Sequence, residues 1–187
     1  MNDALRLLLA RRSTPPNGLT TPGPTPDELT TLLTIAARVP DHGKLAPWRF
    51  IVFEGEGRDR AGQVLVDVAR ASRPDATPEQ IEAERKRLTF APLVIAVVSR
   101  AAPHPKIPET EQLLSAAACC QNLLIAADAM GYGACWVTNW FAYDRAALAG
   151  LGVAAHEKLV GFVHIGARRE RLEDRPRPDL TQIVTRF

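Results

Sequence analysis

Arg11, Arg12 and Ser13 stand side by side behind a short leucine-rich segment, and Arg38, Asp41, His42 and Pro47-Trp48 follow later in the chain. Two guanidiniums and a hydroxyl at the end of an apolar helix suit a phosphate, which accepts several charge-assisted hydrogen bonds. The competing reading of the triplet is a basic last turn that complements the helix dipole. Trp136, behind Gly131-Tyr132-Gly133, supplies a flat ring that either stacks on a planar ligand or packs in the core. His42 reads either as a local cap or as a ligand-facing group. His104, His156 and His164 are widely spaced and lack partners at ligand spacing, so no metal site is read. No dinucleotide-binding glycine fingerprint is present: Gly131-Tyr132-Gly133 ends a helix instead of opening one, and Gly55-Glu56-Gly57 reads as a hairpin turn.

The elements that must position these groups follow from periodicity and capping. Leu5, Leu8 and Leu9 give a first helix one apolar face and deliver Arg11 to Ser13 to its C-terminal end. A loop rich in Pro, Gly and Thr spans Thr14 to Pro24. Thr25-Pro26-Asp27-Glu28 then starts a second helix with an N-cap, a first-turn proline and a capping-box glutamate. Pro40 holds Val39 extended, so this helix ends near Arg38. Trp48 to Phe53 reads as a strand closed by a turn at Glu54 to Gly57, followed by a helix from about Arg58 to Ala71 that three valines weaken. Thr77-Pro78-Glu79-Gln80 opens a polar helix, a solvated cover running to about Leu88. Leu93 to Ser99 is an almost unbroken apolar, β-branched run of the kind found mid-sheet. Ala101 to Pro108, with three prolines, reads as a flexible lid.

A central buried helix runs from Leu113 to Met130, where Ser115, Gln121, Asn122 and Asp128 argue against a membrane span. Ala134 to Thr138 is a strand with Cys135 and Val137 on one face. A short helix near Tyr143 to Leu148 leads to a last strand, Leu159 to Ile165, and an extended Arg-, Pro- and acid-rich tail. Strands and helices interleave without the regular alternation of a doubly wound sheet, which predicts an α+β sandwich of helices around a mixed central sheet. At 187 residues, with 46% hydrophobic and 24% charged, the chain reads as one domain, 1–187. A formal charge of +2 with interleaved signs argues against nucleic acid, and the acids among Arg168 to Arg177 mark a solvated tail. Cys119, Cys120 and Cys135 make no disulfide framework, and Met1 to Ala10 lacks the features of a signal peptide. The expected setting is cytoplasmic and reducing.

Taken in order, Arg-Arg-Ser after the first helix, Ala-Arg-Val-Pro-Asp-His before Pro-Trp, Glu-Gly-Glu-Gly-Arg-Asp-Arg after the strand and Gly-Tyr-Gly-Ala-Cys-Trp after the long helix resemble the FMN-dependent nitroreductase family. The likeness is greatest to its minimal, single-domain YdjA-like subgroup and extends from Ala4 to Phe187. It implies an interlocked homodimer with FMN at the subunit interface. Arg11, Arg12 and Ser13 would hold the phosphate and ribityl end, Arg38 and His42 would reach the partner's flavin, and Trp136, Val137 and Thr138 would lie against the ring. Two departures stand out: Lys44 and Ala46 occupy positions where similar proteins carry Asn and Gln, and Pro15 replaces a basic residue, so that phosphate binding would lean more on Arg11, Arg12 and either Arg168 or Arg169. The resemblance also implies ping-pong hydride transfer from NAD(P)H, a diffusible co-substrate, through FMN N5 to a nitroaromatic, a quinone or a similar acceptor, with no dedicated catalytic side chain. Arg38 or Lys44 are candidates for a charge that tunes the flavin. The alternative is a non-catalytic carrier of a flavin or another phosphorylated ligand.

Overall fold

The computed structural model describes residues 1–170 and 172–187. Its elements are α1 Asp3–Ala10, β1 Leu19–Thr20, α2 Pro26–Ala36, β2 Trp48–Glu54, α3 Glu56–Ser72, α4 Pro78–Lys86, β3 Leu93–Ser99, α5 Glu109–Ala129, β4 Gly133–Val137, α6 Arg145–Gly150, β5 Lys158–Arg168 and α7 Leu180–Ile183. The sheet runs β1-β5-β3-β2, with β4 also on β5. Every ladder among the described residues is antiparallel.

The run Leu93 to Val98 is apolar throughout because both faces of β3 are covered. Side chains alternate across a strand, so Leu93, Ile95 and Val97 pack with Leu32 and Ala36 of α2 and with Cys119, Leu123 and Ala127 of α5. Val94 and Ala96 meet Leu65 of α3, Phe141 and Phe162 on the other side. Helices thus sandwich the sheet, as an α+β architecture requires. The helix starts read from sequence are present as reciprocal caps: Thr25 with Glu28, and Thr77 with Gln80. No helix among the described residues is long and apolar enough to cross a membrane.

Four local readings change. Gly55 alone makes the turn after β2, with a φ of 49°, and α3 begins at Glu56, so Glu54 to Gly57 is a strand-to-helix junction rather than a hairpin. The valines of α3 do not break it, because burial of Leu65, Val66 and Ala69 outweighs a propensity deficit of at most about 0.7 kcal/mol per residue. α4 is less solvated than its composition suggested, since Ile81 and Glu84 are buried. The segment after Ala101 is strapped rather than a loose lid. Gln112 accepts from Ala102 N–H and donates to the carbonyls of Ala102 and Ile107, while Ile107 is buried.

His164 sits in the middle of β5, opposite Val94 and Cys135, with Nδ1 lacking a hydrogen-bond partner among the described residues. Burial pushes it from an ordinary value of 6.5 down to about 4. The unfolded chain takes up this proton more readily than the folded one, so stability present above pH 6.5 is lost as pH falls toward 4. Between pH of about 7 and about 5 the loss should be about 2 kcal/mol. Urea midpoints should fall over that range in the wild type and stay nearly level in His164→Leu; parallel curves would contradict this assignment.

Candidate functional site

α1 ends at Arg11, whose backbone N–H closes the helix on the Leu7 carbonyl at 2.8 Å. Beyond it the chain turns extended, and Thr14 N–H joins Ala134 O of β4 at 2.9 Å. This contact sets the Arg-Arg-Ser triplet beside the end of the sheet. Arg168, the last residue of β5, donates to the carboxylate of Asp128 near the end of α5 and to Gly131 O at 3.0 Å. Together these segments form a cleft of about 490 Å³ lined by Arg12, Thr14, Asp128, Arg168 and Arg169 among others.

Within the cleft, Arg12 donates to the Glu173 carbonyl and lies 3.9 Å from Asp174. The tail therefore supplies Arg12 with a counter-charge. Asp174 is held below the ordinary carboxylate range, first by the Arg177 hydrogen bond, then by the Arg175 N–H, with Arg12 adding to the effect. The side chains of Arg11 and Ser13 make no hydrogen bond among the described residues; Arg11 is half-buried and Ser13 exposed. Thr14 is buried, yet its Oγ1 has no partner among the described residues. A buried hydroxyl left unpaired is costly, and this one lies in the wall of a cleft whose other polar groups are mostly guanidiniums.

Trp136 of β4 is 38% exposed. Its Nε1 donates to Val160 O at 3.2 Å, and the ring lies so close over Gly161 that a Cβ there would collide with it. The indole is thus pinned to β5 through a glycine. Alternation along the strand sends Val137 to the opposite side, where it packs with Leu19 and Cys135, so its side chain does not share the Trp136 face. Thr138 is exposed and accepts from Tyr143 OH at 3.3 Å. Gly161→Ala is expected to displace the indole while leaving the fold intact. A red-shifted indole emission checks the displacement, and loss of one stacking contact should weaken a planar ligand about 2- to 10-fold.

Arg38 and His42 lie elsewhere. The Arg38 carbonyl accepts from Asn122 at 3.0 Å, and its side chain is exposed. His42 Nδ1 is 2.8 Å from Glu111 in the first turn of α5. Glu111 and Asp128 are seventeen residues apart on one helix, about 25 Å at 1.5 Å per residue. One chain therefore does not bring His42 to the basic cleft. Sequence reasoning missed Thr14, Asp128, Glu111 and Gly161; only Gly161, a glycine inside a β-branched strand, carried a local signal of close approach.

The chain matches the nitroreductase family over residues 8–167. It is 35% identical over 186 residues to an Escherichia coli (strain K12) protein named "Putative NAD(P)H nitroreductase YdjA", with 99% of this chain and all of the relative aligned. A nitroreductase-like family protein from Bacillus cereus superposes with a TM-score of 0.83 at 24% identity, covering 100% of this chain and 97% of that one. A nitroreductase with bound FMN from Bacteroides fragilis superposes with a TM-score of 0.72 at 20% identity over the whole of both chains. The matched motifs, the near-complete alignment and the shared fold place one conclusion beyond the individual residues: this chain belongs to the nitroreductase family.

Proposed function

We propose that the protein is an FMN-dependent NAD(P)H oxidoreductase that passes reducing equivalents to an electron-poor acceptor such as a nitroaromatic or a quinone. The observation that carries the reading is the cleft in which Arg12, Arg168 and Arg169 outnumber Asp128 and Glu170, with a buried Thr14 hydroxyl that has no partner among the described residues. These residues fit a phosphate monoester: guanidiniums supply forked donors and Thr14 Oγ1 a hydroxyl to spare. Arg11 and Ser13 flank them on the same segment and complete the grip. Trp136, pinned on Gly161 with part of its ring exposed, offers a flat surface for an isoalloxazine.

Bound FMN supplies the two-electron chemistry, and the side chains bind, orient and exclude water. Arg12 is neutralised by the tail when no phosphate is present, so binding exchanges one counter-ion for another. The nicotinamide and the acceptor take turns at one site, a ping-pong order consistent with the absence of a resident dinucleotide motif. His42, remote from the cleft of its own chain, acts with Arg38 on the cleft of a second copy. That assembly also covers Leu5, Leu8 and Leu9 of α1, which are at least half exposed in the isolated chain. Large exposed apolar faces mark interfaces.

Titration of flavin-free protein with FMN tests the reading. Uptake of about one FMN per chain, bleaching by anaerobic NADH or NADPH and sedimentation as a dimer are expected. Protein that takes up no FMN overturns the proposal; tightly bound flavin that neither nicotinamide bleaches supports a carrier instead.

A further inference from the structure

A second cleft, of about 410 Å³, opens between the segment before β2 and the strapped segment after β3. Its size falls within the range of small-molecule sites. It lies by Gln112, sixteen residues and about 24 Å along α5 from Asp128, so it is separate from the basic cleft of the same chain.

The polar groups around it are unevenly committed. Gln112 has spent its amide on Ala102 and Ile107. The carbonyls of Ala46 and Pro47 are taken by Arg100, through its guanidinium and its backbone N–H respectively. His104 Nδ1 accepts from the N–H groups of Lys106 at 3.2 Å and Ile107 at 3.1 Å, which puts the ring proton on Nε2. What remains uncommitted among these side chains is donors alone: the other guanidinium N–H groups of Arg100 and the His104 Nε2–H. Such a lining favours an anion.

The wall is also built against backbone preference. Lys44 and Ala46 adopt left-handed φ values of 54° and 44°, and Gly43 has a φ of 72°. The Asp41 carboxylate holds Leu45 N–H at 3.0 Å and Ala46 N–H at 2.9 Å, while Arg100 grips the Ala46 carbonyl at 3.0 Å from the other side. Strain of this kind persists where the surroundings over-determine it, and it clusters at ligand sites.

Resting on the oxidoreductase reading above, we infer that this cleft holds the 2′-phosphate of NADPH between Arg100 and His104, and that it makes the protein prefer NADPH to NADH. A terminal monoester presents three acceptor oxygens to a guanidinium fork and an imidazole N–H, whereas NADH brings only the pyrophosphate diesters. NADP⁺ and NAD⁺, titrated calorimetrically into flavin-free and FMN-loaded protein, test this without turnover. NADP⁺ should bind more tightly, and Arg100→Gln should weaken it about 10- to 100-fold while FMN uptake is unchanged. In kinetics Arg100→Gln should bring the NADPH to NADH ratio of kcat/KM toward unity with the KM of the acceptor unaltered. Titration of wild-type protein followed by the His104 ring nitrogen signals gives a reading independent of any variant. Equal affinity for the two nucleotides, an unmoved His104 signal or an unaffected Arg100→Gln overturns the inference, and normal FMN uptake shows that the oxidoreductase reading still stands.

Discussion

Replacing Arg12 and Arg168 together by alanine is expected to weaken FMN binding by about 10²- to 10⁴-fold, since each charge-assisted hydrogen bond to a phosphate contributes about 1.5–3 kcal/mol. The single variants should fall between the wild type and the double, and Arg12→Ala should be the cleaner. Among the described residues the Arg12 side chain bonds the tail alone, through the Glu173 carbonyl and Asp174, whereas Arg168 ties β5 to the end of α5 through Asp128 and Gly131. Asp128→Asn is the control for that second role. It removes a negative charge from the cleft, and the asparagine oxygen still accepts from Arg168, so FMN affinity should rise while thermal stability changes little. Affinity is read from flavin fluorescence at two salt concentrations. An Arg12→Ala/Arg168→Ala protein that remains folded and binds FMN as the wild type does would falsify the phosphate assignment.

The second large effect concerns stability and the strained segment before β2. Asp41→Ala should cost about 2–4 kcal/mol, because two backbone N–H groups lose a carboxylate acceptor. The loss also frees Ala46, whose left-handed conformation is disfavoured both by its own Cβ and by the proline that follows. Ala46→Gly should act in the opposite sense, neutral to stabilising by up to about 1 kcal/mol, since glycine removes the Cβ penalty but adds freedom to the unfolded chain. Gly43→Ala should destabilise for two reasons: its φ is positive, and a Cβ there collides with Ile107. Urea unfolding of the three variants reads the signs directly. If Asp41→Ala and Ala46→Gly shift the midpoint in the same direction, the segment is not held as described.

These outcomes bear on two of the positions where the chain departs from the wider family pattern, Lys44 and Ala46. Lys44 and Ala46 looked like missing flavin contacts when read as side chains. In the fold their importance lies in the backbone: both are turned left-handed, and the Ala46 carbonyl is the anchor for Arg100. Composition and spacing do not register a φ angle at a residue other than glycine.

Much of the architecture was legible because its causes are local. A capping box needs only Thr25 and Glu28, or Thr77 and Gln80, three residues apart, and both boxes form as read. The run Leu93 to Ser99 announces a strand covered on two faces whatever covers it. Arg11 to Ser13 fall at a helix end because the leucine periodicity stops there. The family likeness was likewise carried by short motifs in a fixed order.

Other features depend on which distant segments meet, and no local pattern encodes that. Whether the segment after Ala101 moves or is strapped is decided by Gln112, ten residues away across a proline-rich turn. Arg168 is paired by Asp128, forty residues earlier, because β5 ends beside the C-terminal end of α5. Trp136 is pinned only because β4 registers on β5 with Gly161 beneath the ring. The same helix that unites the core separates His42 from Arg12 by most of its length. The amino-acid sequence by itself determined which groups are able to grip a phosphate and stack on a ring, since residue type and local capping suffice for that. Only the tertiary structure decided that His42 and Arg12 stand toward opposite ends of α5, because their separation is set by the packing and length of one rigid helix.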